Sequence, residues 1–195
     1  MSVLFLDIDT QIDFMMPQGA LYVPQAEQLL PVLKRISDYA IAKHIPVLAS
    51  ADAHAVDDPE FEQFPPHCIK GRPGQQKVAE TYPKLFLVEE HDEKAVNPEN
   101  LNRDHVLFEK RTFDVFSNPK IELYLQHYQP EQVVVYGVAT DYCVQAAVLS
   151  LLERDYPVVL LTDAIKAVDP SLEAGVLKNL QSKGALLTTF DIFSK

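Results

Sequence analysis

Residues 133–145 read VVVYGVATDYCVQ, and the fold of the chain turns on them. Val133, Val134 and Val135 form a β-branched apolar run, which predicts a central strand buried on both faces. Gly137 breaks the run. Thr140 or Asp141 is then placed to cap a helix that continues through AAVLSLLERDY, residues 146–156. Cys143 falls in the first turn of that helix, where unpaired backbone N–H groups and the helix dipole favour a thiolate. The segment alone fits a buried structural cysteine equally well, because Cys packs as a small hydrophobe.

Outward from this strand the chain alternates between strand and helix. Val3–Ile8 reads as a buried first strand and Ile45–Ala49 as a second. Ala26–Lys43 places Leu29, Val32, Leu33, Ile36 and Ala40 at helical spacing. Pro31 is compatible with that helix only in or near its first turn. Residues 51–74 are irregular and contain Pro59, Pro65, Pro66 and Pro73; loops of such length are often functional. Leu85–Val88 and Val106–Phe108 are candidate strands, and Pro119–His127 a helix. Val158–Thr162 and Ala185–Thr188 are further strands, with a helix at Leu172–Lys183 between them. The alternation predicts an α/β fold with a mostly parallel sheet and helices on both faces. Ligands of such sheets bind beyond the carboxyl ends of the strands.

Composition narrows the classes. A length of 195 residues suits one α/β domain spanning the chain, and 47% hydrophobic residues is ordinary for a soluble protein. No apolar run is long enough to span a bilayer. The opening MSVLFLDIDTQ lacks the basic leader and cleavage site of a secretion signal. Seventeen basic against 28 acidic residues give a net charge of −11, which argues against nucleic acid and anionic membranes as partners. Two cysteines, Cys68 and Cys143, make no disulfide framework, so a reducing cytoplasm is the expected location.

The chemistry-bearing residues gather at the predicted strand ends. The first strand leads to Asp9, Gln11, Asp13 and Phe14, the second to Asp52 and His54, the fourth to Lys110, and the central one to Cys143. Asp52 and His54 project to one side of an extended backbone, and His67 follows on the returning loop. One carboxylate and two imidazoles suit Zn²⁺ or Fe²⁺ with positions left open; Glu60 or Glu62 is near enough in sequence to add a ligand. The spacing equally fits a solvated loop with a capping Asp and surface histidines. Cys143, Asp9 and Lys110 form a workable nucleophile set: a thiol, a carboxylate to accept its proton, and a cation to balance charge. Taken singly, Lys110 reads as a surface lysine in the run Glu109-Lys110-Arg111, and Asp9 as a strand-end cap.

Five stretches together resemble a known family: DTQIDF (Asp9–Phe14), DAH (Asp52–His54), FPPHC (Phe64–Cys68), FEKR (Phe108–Arg111) and GVATDYCV (Gly137–Val144). In this order they are similar to the isochorismatase-like cysteine hydrolases, and within these to nicotinamidases, also called pyrazinamidases. The resemblance implies a three-layer α/β/α fold with six parallel strands and a catalytic triad of Asp9, Lys110 and Cys143. It implies an oxyanion hole from the backbone N–H groups of Ala139 and Cys143, with a cis peptide between Val138 and Ala139. It implies a divalent metal, zinc first, with iron or manganese as alternatives, on Asp52, His54 and His67, with Glu60 as an additional acidic ligand. Phe14, Phe64 and Tyr142 would line an aromatic-sized substrate pocket. The chain departs from the family pattern at Ile12, where Asn is common, and at Phe64, where Trp is frequent; Tyr142 lies at a position that varies with substrate.

The activity implied is hydrolysis of nicotinamide to nicotinate and ammonia, in NAD salvage, through a cysteine thioester. The partner expected is therefore a small carboxamide, and a homo-oligomer is left open. Two alternatives stand beside it. One is another amidase of the superfamily acting on an N-carbamoyl or ureido substrate, against which the metal motif counts. The other is a non-catalytic binding protein on the same fold, against which the intact Asp9, Lys110 and Cys143 count. A thiol-redox role is disfavoured because no resolving cysteine lies near Cys143.

Overall fold

Seven strands form one sheet in the computed structural model, which describes residues 2–81 and 86–195. They are β1 (Val3–Ile8), β2 (Val47–Asp52), β3 (Leu87–Glu89), β4 (His105–Lys110), β5 (Gln132–Val138), β6 (Val158–Lys166) and β7 (Leu186–Thr188). Their spatial order is β3-β4-β2-β1-β5-β6-β7, and every neighbouring pair is parallel. The count is one above the six implied by the resemblance and matches the seven apolar runs of the sequence. Leu85, where the third of those runs was placed to begin, lies outside the described residues.

The period-2 alternation of the strands divides the core into two layers. Leu4, Leu6, Ile8, Val133 and Val135 face one side. There they meet Ile121, Tyr124 and Leu125 of α3 (Lys120–Tyr128), Ala147, Val148 and Leu151 of α4 (Gln145–Leu152), and Leu180 of α5 (Pro170–Ser182). Phe5, Val134 and Tyr136 face the other side, against Leu33, Ile36 and Ala40 of α2 (Leu30–Lys43). Each such aliphatic side chain, fully buried, stabilises the fold by roughly 1.5–3 kcal/mol. The result is a three-layer α/β/α arrangement in which β5 lies between β1 and β6.

Several boundaries differ from the sequence reading for local reasons. The helix expected over Ala26–Lys43 is a 3₁₀ turn at Ala26–Leu29 followed by α2, with Pro31 in the first turn of α2 as its missing N–H demands. The strand expected at Ile45–Ala49 runs to Asp52, and that expected at Val106–Phe108 runs to Lys110, because β2 and β4 continue pairing through Asp52 opposite Lys110. Polar residues there are buried in the sheet, which apolar periodicity does not reveal. Strand β6 continues past Thr162 to Lys166.

The strand-to-helix turn at the centre also departs from expectation. Thr140–Val144 forms a π-helical turn before α4, and neither Thr140 nor Asp141 caps it. The Asp141 carboxylate instead accepts the backbone N–H groups of Val168 and Asp169, both at 2.9 Å. The Thr140 hydroxyl donates to Glu173. The two side chains thus tie the turn to α5 and to the segment leading into it. Gly137 precedes the turn at φ +121°, and a Cβ there would lie 2.0 Å from the Ile8 carbonyl oxygen of the paired strand, so only glycine fits.

Candidate active site

The carboxyl ends of β1, β2, β4 and β5 converge and bring Asp9, Asp52, Lys110 and Cys143 together in the buried interior. Lys110, the last residue of β4, is fully buried. Its ammonium lies 2.5 Å from Asp52 Oδ1 and 2.8 Å from Asp9 Oδ2. It donates to the Thr112 carbonyl at 2.9 Å and stands 3.6 Å from Cys143 Sγ. Asp9, Lys110 and Cys143 are therefore in one cluster, 1%, 0% and 6% exposed, and Lys110 is no surface lysine.

The protonation states follow from burial against charge. Burial pushes the Asp9 carboxyl up, and Lys110 only partly offsets it. Burial would lower Lys110, but Asp52 and Asp9 overcome this and hold it well above the usual lysine range. The Cys143 thiol is pushed well above its ordinary value by burial; Lys110 opposes this, while Asp9 and Asp52 add to it. This corrects the expectation of a thiolate favoured by a helix start. Cys143 lies in a π-turn rather than the first turn of a regular α-helix, and desolvation outweighs the nearby cation. Burial thus favours the thiol over the thiolate at rest.

Asp52, His54 and His67 form the second cluster. Their ligand atoms lie within 4.8 Å of one another, and all three residues are buried. Asp52 Oδ2 is 3.7 Å from His54 Nε2 and 3.9 Å from His67 Nε2. Burial would raise the Asp52 carboxyl, but Lys110 and His54 hold it below the usual range. His67 Nδ1 lies 2.8 Å from the Pro65 carbonyl, which can only accept, so Nδ1 carries the proton and Nε2 is left as a lone-pair donor. Burial lowers the His67 pKa, favouring the neutral ring that a metal requires. His54 Nδ1 stands 3.1 Å from Asp58 Oδ2, yet neither ring nitrogen completes a hydrogen bond of good geometry among the described residues. A buried carboxylate, a lone pair aimed inward and an unsatisfied imidazole are what a divalent cation would satisfy. Glu60 is at the margin, 3.9 Å from His67 Nε2 and partly exposed.

The two clusters border one cavity. Phe14, Phe64 and Tyr142 line it, together with Asp52, Glu60, His67, Ala139 and Cys143. Phe64, Phe113 and Tyr142 pack against one another edge-on or tilted at its mouth, with centroids 5.2–6.2 Å apart. The peptide bond between Val138 and Ala139 is cis, as the resemblance implied. Geometry adds residues that the sequence did not single out. Phe113, Leu21, Val23 and Val168 complete the apolar wall. Asp58 backs His54, and Ser50 contacts Asp9. Only Ser50 carried a usable signal, since it lies two residues before Asp52 on the same strand. Gln11 and Asp13 are braces: Gln11 grips both the N–H and C=O of Asp52, and Asp13 accepts the Cys68 N–H at 2.7 Å.

The isochorismatase domain family matches residues 3–191. The chain belongs to that family. As an isochorismatase-like hydrolase it is related to nicotinamidases and pyrazinamidases: it is 28% identical to the nicotinamidase of Escherichia coli K12 over 93% of this chain and 92% of that protein. It superposes on the pyrazinamidase of Pyrococcus horikoshii, solved in complex with zinc, with a TM-score of 0.80 at 26% identity, covering 97% of this chain and all of that one. An isochorismatase-like hydrolase from Alkaliphilus metalliredigens shares the fold with a TM-score of 0.83 at 24% identity, over 99% and 97% of the two chains. Among the described residues no helix is long and apolar enough to cross a membrane.

Proposed function

We propose that this protein is a metal-dependent nicotinamidase, converting nicotinamide and water to nicotinate and ammonia in pyridine-nucleotide salvage. The observation that supports it most is Asp52, whose two oxygens address Lys110 and the histidine pair respectively, so that a nucleophile set and a metal-ligand set open into one aromatic-walled cavity. Asp52, His54 and His67 would hold the metal, with Glu60 a weaker candidate. When bound, the metal supplies a coordination position for the ring nitrogen of the substrate.

The chain's own groups account for the bond changes. Cys143 Sγ attacks the carboxamide carbon as its proton passes to Asp9. The backbone N–H groups of Ala139 and Cys143 receive the oxyanion. Asp9 gives its proton to the departing nitrogen, and ammonia leaves a thioester on Cys143. Asp9 then takes a proton from the attacking water, and the thiol is restored as nicotinate forms. Lys110 stays cationic throughout and stabilises the sulfur anion and the Asp9 carboxylate in turn. The raised affinity of Asp9 for its proton suits it to both halves of the cycle. Phe14, Phe64 and Tyr142 stack about the flat ring and keep water from the thioester until the amine has gone.

Ammonia release from nicotinamide, pyrazinamide and benzamide by metal-replete enzyme tests the reading. The first two carry a ring nitrogen meta to the carboxamide and are expected to turn over. Benzamide lacks that nitrogen and is expected to be poor, because it leaves a polar site unpaired. Equal rates for benzamide and nicotinamide would remove the ring-anchoring role. Turnover of an N-carbamoyl compound with none of the three would replace the substrate class.

A further inference from the structure

The ladder between β1 and β2 stops one rung short of the site. The Phe5 N–H donates to the Pro46 carbonyl at 2.9 Å, and the register pairs Phe5 with Val47 and Asp7 with Ala49. A parallel ladder repeats every two residues, so the next rungs would run to Leu48 and then from the Asp9 N–H to the Ser50 carbonyl. At Ser50 the pattern changes. Its carbonyl accepts the Lys77 ammonium at 3.1 Å, and the Asp9 N–H reaches the Ser50 hydroxyl oxygen at 3.3 Å. The same hydroxyl donates to Asp9 Oδ1 at 2.7 Å. Asp9 sits at φ +47°, a left-handed conformation unfavourable for a residue with a side chain.

Lys77 is itself held in place. Its ammonium is 3.1 Å from Asp7 Oδ2, with both side chains buried, and the Thr10 hydroxyl donates to Asp7 Oδ1 at 2.9 Å. The backbone on either side of Lys77 is pinned to the chain after Asp9: the Ile12 N–H donates to the Gln76 carbonyl, and the Val78 N–H to the Thr10 carbonyl. Neither Lys77 nor Asp7 lines the cavity or takes part in the proposed reaction.

We propose that Ser50 and Lys77 are positioning residues: Lys77 occupies the carbonyl that would close the last β1/β2 rung, and the Ser50 hydroxyl clamps Asp9 so that only Oδ2 faces Lys110 and Cys143. This rests on the cysteine-hydrolase reading of the site. The clamp matters because Asp9 must accept a proton from sulfur. With Oδ1 held by Ser50, the carboxylate cannot turn both oxygens onto Lys110 in a two-pronged ion pair. Such a pair would remove the acceptor that the thiol needs.

Ser50→Ala is the test, read in two ways on the metal-replete full-length chain. With nicotinamide, kcat falls about tenfold or more while KM stays within about twofold, the scale of one hydrogen bond to a charged group. With iodoacetamide, alkylation of Cys143 (followed by mass spectrometry of its peptide) slows by a similar factor, because the S–C bond forms and the reagent's C–I bond breaks, releasing iodide, only after the thiol proton has gone to Asp9. Ser50→Thr keeps the hydroxyl and restores both rates to within about threefold. The double variant Asp7→Asn/Lys77→Gln removes both charges together and lowers both rates with KM unchanged. Wild-type rates in folded Ser50→Ala, equal losses in the Thr and Ala variants, or wild-type rates in the folded double variant would overturn the assignment. A wild-type protein that leaves nicotinamide intact refutes the substrate reading instead; the alkylation comparison needs no substrate and still decides the clamp.

Discussion

Lys110→Met removes the charge on which the whole site balances and keeps the length of the side chain. The ammonium is fully buried and has three oxygens within 2.9 Å, two of them carboxylate. Without it, Asp9 and Asp52 face each other across an apolar gap. Breaking a buried pair in this way costs about 3–5 kcal/mol. For a domain of this size that is a fall of roughly 6–20 °C in Tm near neutral pH. The penalty depends on pH with a definite sign. In the variant the Asp9 carboxyl, already raised by burial, loses the cation that partly offsets it, so its folded pKa lies above the unfolded one and the folded state binds more protons than the unfolded state between those values. The destabilisation therefore grows as pH rises through that folded pKa and shrinks toward acid. Calorimetry of wild type and variant from pH 5 to 8, after chelation so that no metal neutralises Asp52, measures the gap directly. Adding Asp9→Asn to the variant recovers part of the loss. A gap below about 2 °C at pH 7, or one that does not change with pH, would show that the charges at this site are not balanced as described. The same substitution removes a cation 3.6 Å from the sulfur. At an effective dielectric of about 20 that interaction is worth about 4–5 kcal/mol, an upper limit of roughly three decades in kcat.

Three other outcomes follow from the same geometry. Cys143→Ala leaves circular dichroism native-like and abolishes ammonia release; substantial turnover in the pure variant would exclude Cys143 as the nucleophile. Elemental analysis is expected to find one divalent ion per chain, lost in His54→Ala and in His67→Ala and retained more weakly in Glu60→Gln; full occupancy in His54→Ala would contradict the ligand set. Asp9→Asn lowers kcat far more than it raises KM. In the wild type the acid limb of kcat/KM lies above the usual carboxylate range, because burial raises the Asp9 pKa and activity is lost as pH falls through it. A loss of only about tenfold in Asp9→Asn, about 1.4 kcal/mol, would call for another proton acceptor.

How far the sequence reveals this arrangement depends on the kind of force involved. The strands were legible because hydrophobic burial leaves a periodic trace: Val133–Val135 reads as a central strand and Val3–Ile8 as a buried one, and both lie in the middle of the sheet. The carboxyl ends of β2 and β4 were not, because their buried polar residues find tertiary partners: Asp52 pairs with Lys110, Ser50 bonds Asp9 and Glu109 pairs with Lys70. Apolar periodicity treats such residues as loop. The helix start at Cys143 misled for a related reason. Propensity places a cap at Thr140 or Asp141, but Glu173 of α5 claims the first side chain and the segment before α5 the second, leaving a π-turn.

The candidate residues themselves were nearly all named in advance, yet they stood as two separate sets, a nucleophile triad and a metal triad. Sequence spacing cannot show that Asp52 belongs to both. Its Oδ1 neutralises Lys110 while its Oδ2 faces His54 and His67, so charge placed on one set is felt by the other. With a cation on Asp52, His54 and His67, Asp52 would be shared between that ion and Lys110, and its hold on Lys110 would weaken. Lys110 is then freer to stabilise sulfur as the thiol proton moves to Asp9. The geometry predicts that metal binding and thiol reactivity are coupled through one carboxylate. Iodoacetamide should alkylate Cys143 faster in metal-replete protein than after chelation, and that difference should vanish in Asp52→Asn. A chelator that leaves the alkylation rate of the wild type unchanged would separate the two sets again and reduce the role of Asp52 to that of a ligand.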